Sequence, residues 1–185
     1  MNTSFKKGFT LIETLVAVTI LMVAIAGPLT VAMKAYTASL DARNQTIATN
    51  LAQETMEYLN NIKDNSNESQ KGNKDGFNYP SQQCDSSSHP CDVNVYHDNS
   101  GKLDRYVDCS SSISNCRLYN SDSYGYNHNT GISNTADNKL TPFTRYFYLT
   151  DLTDPQALAT VVVSWNTGST ANSVTLQEVL SNTTR

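Results

Sequence analysis

A continuous apolar run covers residues 9–33 and contains a single ionisable side chain, that of Glu13. As an α-helix this run would be roughly 37 Å long at about 1.5 Å per residue, and a bilayer core needs only about 20 apolar residues. We therefore predict a helix that spans a membrane. Lys6 and Lys7 precede the run and Lys34 follows it. The short basic leader favours the cytoplasm, so the bulk of the chain is expected to be exported.

The next stretch, residues 34–63, becomes amphipathic. Apolar residues recur at steps of seven and four along one helical face, namely Leu40, Ile47, Leu51, Tyr58 and Ile62. This spacing predicts that the helix continues and packs its apolar stripe on a head domain. The N-terminal half of the stretch is expected to meet neighbouring helices. We place the helix end near Lys63, because a base suits the C-terminal end of the helix dipole.

The last third of the chain carries the clearest β pattern. Residues 143–149 are rich in aromatic and β-branched side chains, and residues 160–165 alternate between apolar and polar positions. A turn at 166–168 leads to a third strand around 174–176. We therefore predict an α+β fold in which the long N-terminal helix, with a membrane-spanning half and an amphipathic half, packs on a small antiparallel β-sheet head.

Between the helix and these strands the pattern is weaker. Residues 64–83 form a polar, glycine-containing stretch that is predicted to be a solvated loop rather than a calcium site, since its acids lack the spacing of an EF-hand. Residues 93–96 and 103–109 suggest a hairpin. Residues 110–141 are predicted to be mostly loop, with a cluster of tyrosines that either covers polar loops or contacts a partner.

Composition excludes several functions. The chain has 185 residues, is 38% apolar and has a net charge of −4, and no run of basic residues follows Lys34, so a broad nucleic-acid-binding surface is not expected. His89, His97 and His128 are scattered in polar segments, and no catalytic or phosphate-binding motif occurs. We predict a protein that is not an enzyme and that needs no cofactor or metal.

Four cysteines, Cys84, Cys91, Cys109 and Cys116, lie in the part predicted to be exported. An even number of cysteines in an oxidising compartment indicates disulfides. We favour the two local pairs, Cys84 with Cys91 and Cys109 with Cys116, although four cysteines allow three connectivities. Zinc binding with help from His89 is the alternative, but zinc sites prefer tighter cysteine spacing.

The N-terminal leader is not typical of a removable secretory signal, because its apolar run is too long and continues past the A-x-A-like site at residues 24–26. It resembles instead the leader of type IV prepilins. The resemblance rests on the basic pair Lys6-Lys7, on Gly8, on the aromatic Phe9 and on Glu13, five positions beyond the glycine.

The resemblance implies that a prepilin peptidase cuts between Gly8 and Phe9 on the cytoplasmic side, that Phe9 becomes N-methylphenylalanine, and that the apolar helix is kept. It also implies a role for Glu13 in assembly. A carboxylate in a membrane helix costs on the order of 2.5–3.5 kcal/mol and therefore suggests a partner. The nearest cation is the amino group of Phe9, on the same chain or a neighbouring one. The alternative is a carboxylate that reaches the membrane interface.

Gly27 and Pro28 interrupt the apolar run. Proline removes a backbone hydrogen bond and clashes with the preceding turn, so we expect a kink or local melting there. Pilin-like helices often carry such a break, which could help the helix leave the bilayer for a filament. A kink without function is the alternative.

Two further segments, residues 53–62 and residues 161–165 with the following turn and strand, resemble PilV-type minor pilins. We therefore expect a minor pilin that assembles into a type IV pilus or primes one. A minor pseudopilin of type II secretion, or an adhesion or DNA-binding module at a filament tip, remains as an alternative. The expected regions are a leader at 1–8, a transmembrane and filament-core helix at 9–33, an amphipathic helix at 34–63 and an exported β head at 64–185.

The resemblance also implies the partners and the location. The expected partners are other pilin subunits, the prepilin peptidase and an inner-membrane assembly platform. The precursor is expected to cross the inner membrane once with its N-terminus inside and its head exported, and then to enter an extracellular pilus.

Overall fold

The computed structural model describes residues 8, 10–69, 84–93, 106–121, 125–128, 139–153 and 156–181. Contacts within the chain divide it into two compact units, Met1–Ala42 and Arg43–Arg185. Each unit has its own character. The described part of the first is almost wholly one α-helix with exposed side chains, whereas the second contains a helical segment, a β-sheet and a buried core.

One α-helix, α1, spans Leu11–Ser69. It continues through Gly27 and Pro28, so the local melting considered from the sequence is not present. Proline lacks only its own backbone N–H, so the missing hydrogen bond is confined to the carbonyl of Ala24, one turn earlier. The hydroxyl of Thr30 donates to the carbonyl of Gly27 at 2.7 Å, which adds a local bond beside the interruption.

The end of α1 corrects the predicted boundary at Lys63. The helix runs on to Ser69, and its last turn contains no basic residue. The dipole preference for a base is worth only about 0.3–1 kcal/mol, and neither glycine nor proline occurs between Lys63 and Gly72. Nothing in the local sequence therefore forces the helix to stop at Lys63. The remainder of the predicted loop, residues 70–83, lies outside the described residues.

The second half of α1 buries a narrow face in the core of the second unit. The buried residues on this face are Ala48, Leu51, Ala52, Thr55, Met56 and Leu59. The predicted stripe was right for Leu51, but Ile47 and Tyr58 lie half-buried at its border. The side chain of Ile62 lies outside the described residues. The centre of the face is formed by alanines, since small side chains let the helix backbone approach its neighbours closely.

Within the described residues, seven antiparallel strands form one sheet. Their bounds are β1 Cys91–Val93, β2 Tyr106–Asp108, β3 Arg117–Ser121, β4 Gly125–Asn127, β5 Lys139–Thr153, β6 Gln156–Thr167 and β7 Thr170–Ser181. The long strand β5 pairs with β6 along one edge, and its other edge is shared by β3 and β1. β4 extends the sheet from β3, β2 extends it from β1, and β7 pairs with β6.

The three C-terminal strands are confirmed and are longer than predicted. Val161, Val163 and Trp165 of β6 are buried on one face, as the alternation indicated. β6 and β7 pair without interruption from Gln156–Ser181 to Thr167–Thr170. The turn between them contains Gly168 with φ of 61°, a left-handed conformation that glycine adopts without the steric cost of a Cβ atom.

The described parts of residues 110–141 are more regular than the predicted loop. They contain a short 3₁₀-helix, Ile113–Cys116, followed by β3 and β4, and β5 already begins at Lys139. Leu118 of β3 is fully buried. The sequence of β3, Arg-Leu-Tyr-Asn-Ser, has a single aliphatic residue and no sustained alternation, so its strand character comes from pairing with β5 rather than from its own pattern. The expected hairpin is present in part, because β1 and β2 pair antiparallel.

Candidate functional site

Of the residues that carry the prepilin resemblance, the structure describes Gly8 and Glu13. Gly8 is exposed and precedes the helix, and Phe9 lies outside the described residues. The carbonyl of Thr10 accepts hydrogen bonds from the backbone N–H of Glu13 at 3.0 Å and of Thr14 at 3.2 Å. Glu13 therefore lies in the first turn, where the positive end of the helix dipole favours a negative charge.

Gly8 is not required by the fold. A Cβ atom added at Gly8 would meet nothing within 4 Å, and the residue does not have the positive φ that disfavours other side chains. A larger residue would therefore be accepted by the folded chain itself. The described fold gives no reason for glycine at this position.

The first part of α1 exposes a continuous apolar surface. Leu11, Ile12, Val23 and Met33 are examples, each at least 65% exposed. Monomeric soluble proteins rarely expose a contiguous apolar surface of this kind, and such surfaces mark sites that meet a membrane or another protein. By length and composition the helix is sufficient to cross a membrane.

Hydroxyl groups within this surface are satisfied by the helix itself. Thr14 donates to the carbonyl of Leu11 and Thr19 to that of Val16, each at 2.8 Å. These bonds remove the need for water at the hydroxyls, so threonine is compatible with an apolar environment. Glu13 differs, because a buried carboxylate requires hydrogen-bond donors, a cation or water around it when the surrounding surface is covered.

The second unit contains two neighbouring loops, each closed by a disulfide. Cys84 is joined to Cys91 and Cys109 to Cys116, with Cα atoms 5.5 and 5.7 Å apart. These are the two local pairs that the spacing favoured. The backbone N–H of Cys109 donates to the carbonyl of Pro90 at 2.9 Å, so the second loop is fastened to the first.

Charged groups at the rim of these loops are locally hydrogen-bonded. The Nδ1–H of His89 donates to Asp85 at 3.0 Å, and this bond, with a weaker one from Ser86, holds the pKa of Asp85 below its usual value. Hydrogen bonds from Ser110 likewise lower the pKa of Asp108. Among the described residues no group of three or more His, Cys, Asp or Glu side chains is arranged to hold a metal ion.

A buried ionic cluster lies at the junction of helix and sheet. The guanidinium of Arg145, on β5, is fully buried and donates from Nε to Asp92 at 2.9 Å and from Nη1 to Glu54 at 3.0 Å. Its Nη2 donates to the carbonyl of Val93 at 3.2 Å. The other oxygen of Asp92 lies 2.7 Å from Nε2 of His128, which must be the donor because a carboxylate only accepts. We refer to Glu54, Asp92, His128 and Arg145 as the ionic cluster.

The ionic cluster joins four separate segments of the chain. Glu54 comes from α1, Asp92 from β1, Arg145 from β5, and His128 directly follows β4. Asp92 accepts from Arg145, from His128 and from the backbone N–H of Val93 at 2.7 Å, so its charge is well compensated. His128 lies outside the strands, as the sequence suggested, but its side chain is only 2% exposed.

Sequence reasoning missed the cluster, although one signal was present. Phe143, Arg145, Phe147 and Leu149 share one phase of an alternating strand, and the three apolar members are buried. An arginine in the inward phase of such a strand requires a buried acid opposite it. The sequence alone does not say which acid, since Asp92 is 53 positions away and Glu54 is 91 positions away.

These features define a subunit with an apolar N-terminal helix, one carboxylate near its start, and an α+β head that the helix enters: the architecture of type IV pilin-like proteins. The family model described as the prokaryotic N-terminal methylation motif matches residues 3–27. The chain therefore carries a type IV prepilin-like N-terminus, of the pilin or pseudopilin type. No curated protein and no solved structure matches the chain.

Proposed function

We propose that this protein is a minor pilin that is cut between Gly8 and Phe9 by a prepilin peptidase, methylated on Phe9, and assembled into a type IV pilus or used to prime one. The observation that carries the proposal is the methylation motif at residues 3–27, joined directly to an exposed apolar helix. Such a motif implies processing by the peptidase and assembly with other subunits of the same type.

The apolar surface of the first unit suits two successive environments, a membrane and a filament. In the precursor, the helix spans the inner membrane with its basic leader inside and its head exported. In the filament, the same surface is buried against the helices of neighbouring subunits. Both environments exclude water from most of residues 11–33, and the threonine hydroxyls bonded within the helix suit both.

Glu13 is the residue that we propose as the assembly contact. The carboxylate lies in the first helical turn, four positions beyond Phe9, the residue that would carry the new amino terminus after cleavage. A neighbouring subunit's amino group would neutralise the carboxylate when the surrounding apolar surface is buried. The pair would then register an incoming subunit against one already in the filament, because any other register leaves a buried charge unpaired.

The resemblance of residues 53–62 and 161–165 to PilV-type minor pilins supports the minor rather than the major role. A minor pseudopilin of type II secretion shares the N-terminal motif and the helix, and it is the second candidate. Deletion separates the two candidates. Loss of a minor pilin lowers the number or function of surface filaments, whereas loss of a pseudopilin lowers secretion and leaves pili intact.

The test of the assembly contact is incorporation of Glu13 variants into filaments. Glu13→Ala should insert and be cleaved normally, because the span becomes more apolar, but it should be depleted from sheared filaments. Glu13→Asp should incorporate better than Glu13→Ala because it retains the charge. Glu57→Ala, which removes an exposed acid from the same helix outside the apolar run, is the matched control and should assemble normally.

Quantitative immunoblots of sheared filaments and of membranes provide the measurement. Normal incorporation of Glu13→Ala would show that Glu13 is not the assembly contact. In that case the Glu13 carboxylate would reach the water at the membrane interface, which would explain why the apolar run tolerates it.

A further inference from the structure

We propose that the Cys84–Cys91 disulfide is a redox-controlled latch: by fixing Asp92 against the buried guanidinium of Arg145, it allows the second half of α1 to dock stably on the sheet. Asp92 directly follows Cys91 in the chain, so the bond and the counter-charge are adjacent. The inference concerns the head alone and does not depend on the proposed role in pili.

Asp92 is the fully buried counter-charge of Arg145. The side chain of Arg145 is fully buried as well, whereas its other carboxylate partner, Glu54, is 46% exposed. A buried charge that loses its partner is strongly destabilising, and a half-exposed carboxylate provides a weaker, solvent-screened interaction. The contact between helix and sheet through Glu54 therefore depends on a guanidinium that Asp92 keeps in place.

The attachment of Asp92 to the sheet is short. β1 has three residues and only one of them, Cys91, pairs with β5, opposite Phe147. At the other end of the disulfide loop, the backbone N–H of Leu149 on β5 donates to the carbonyl of Cys84 at 2.8 Å. Cys84 and Cys91 thus each make one backbone contact with β5, and the disulfide joins these two contacts into a closed loop. Asp92 is the residue that follows this loop, and its carboxylate contacts Arg145.

The redox step is thiol–disulfide exchange. The two thiols lose two protons and two electrons as the sulfur–sulfur bond forms, and a disulfide-bearing oxidant of the exported compartment is reduced to its dithiol. Cys84 and Cys91 are both buried in the folded head, at 0% and 1% exposure. Exchange must therefore occur before the core closes or during local opening. In the reduced chain β1 keeps its pairing with β2 and its single pairing with β5, but it loses the covalent link to Cys84, so the position of Asp92 against Arg145 is held less firmly.

The second disulfide provides a matched control. Both bonds link cysteines seven positions apart, so the chain-entropy model gives the same stabilisation for each. Only Cys84–Cys91 is adjacent to Asp92. Suppose that removing one disulfide changes the effect of Asp92→Asn and removing the other does not. The difference then arises because the first disulfide positions Asp92 in the folded state, since both disulfides restrict the unfolded chain equally.

The experiment measures this coupling in the full chain in detergent micelles. Asp92→Asn is combined with Cys84→Ser/Cys91→Ser and, separately, with Cys109→Ser/Cys116→Ser, and Tm is followed by the fluorescence of Trp165. We expect the Tm decrease caused by Asp92→Asn to fall to less than half without Cys84–Cys91 and to be retained without Cys109–Cys116. Equal decreases in all three backgrounds, or equal reductions in both disulfide-free backgrounds, would overturn the proposal.

A reciprocal measurement needs no cysteine variant. Because coupling between two sites acts in both directions, Asp92→Asn should make Cys84–Cys91 easier to reduce by a dithiol while leaving Cys109–Cys116 unchanged, as read by alkylation and mass spectrometry. If Asp92→Asn does not fold, Asp92→Asn with Arg145→Met, which leaves no buried charge unpaired, replaces it and should change the reduction of Cys84–Cys91 in the same direction. Similar reduction of both disulfides, or no change in either, would contradict the latch.

Discussion

Replacing Asp92 with asparagine removes the negative charge beside Arg145 while nearly preserving the shape of the side chain. The asparagine oxygen can still accept from the backbone N–H of Val93, while its amide nitrogen replaces the oxygen that accepts from His128, so the variant removes the charge and one acceptor. Because Asp92 and Arg145 are both fully buried, breaking the pair from one side should lower the free energy of unfolding by about 3–5 kcal/mol. This loss is a large share of the roughly 5–15 kcal/mol that stabilises a typical domain.

Glu54→Gln makes the same chemical change at the exposed end of the cluster. The Glu54 oxygen lies 3.0 Å from Nη1 of Arg145, close to the 2.9 Å separation between Asp92 and Nε. Glu54 is half exposed, however, so solvent screens its interaction and leaves a contribution of about 0–1 kcal/mol. The comparison separates the effect of burial from that of distance.

Denaturant titration of the full chain in detergent micelles provides the assay. Trp165 is the only tryptophan, is 6% exposed and packs near Phe143, with ring centroids 6.2 Å apart, so its fluorescence reports unfolding of the head. Adding Arg145→Met to Asp92→Asn should cost less than the sum of the single changes, since no buried charge is then left unpaired. A loss below about 1 kcal/mol for Asp92→Asn, or one equal to that of Glu54→Gln, would refute the reasoning.

Two further predictions concern the disulfide pairing and the loss of stability at high pH. Peptide mapping without reduction should recover Cys84 joined to Cys91 and Cys109 joined to Cys116, and free thiols or crossed pairs on exported protein would contradict the observed pairing. Burial, and secondarily the neighbouring Tyr148, raises the pKa of Tyr146. The unfolded chain therefore releases this proton first, and stability should fall as pH rises above about 10, the ordinary tyrosine value. Denaturant titrations at pH 9 and 11, roughly one unit either side of that value, should show a smaller loss of stability for Tyr146→Phe than for the unchanged protein. An equal loss in both proteins would mean that other groups cause the fall in stability at high pH.

The strongest sequence patterns predicted the helix and the C-terminal strands correctly. A long apolar run and a strict alternation such as that of Val161, Val163 and Trp165 reflect burial on one face, which is a local consequence of the periodicity of helix and strand. The same logic failed for the centre of the helix face. Ala48 and Ala52 favour helices anywhere, so their sequence pattern does not reveal that they pack in the core.

The ionic cluster and the short strands could not be predicted for a different reason. Asp92, His128 and Arg145 meet only because β1, β4 and β5 are brought together by the sheet, and no short-range pattern encodes that arrangement. The strands β1, β2 and β4 have three residues each, too few to show a period of two. Arg145 at an inward position was the one local indication that a buried acid had to lie nearby.

The central claim is that the leader is removed at Gly8 and that the apolar helix remains as the start of the mature subunit. Mass spectrometry of the N-terminal peptide, from protein isolated from membranes or filaments of cells with a prepilin peptidase, tests this claim directly. The mature chain should begin at Phe9 with one methyl group on its amino nitrogen, and a bulky residue in place of Gly8 should leave the leader attached. A chain that begins after Ala26, or that keeps Met1 in assembled filaments, would contradict the account.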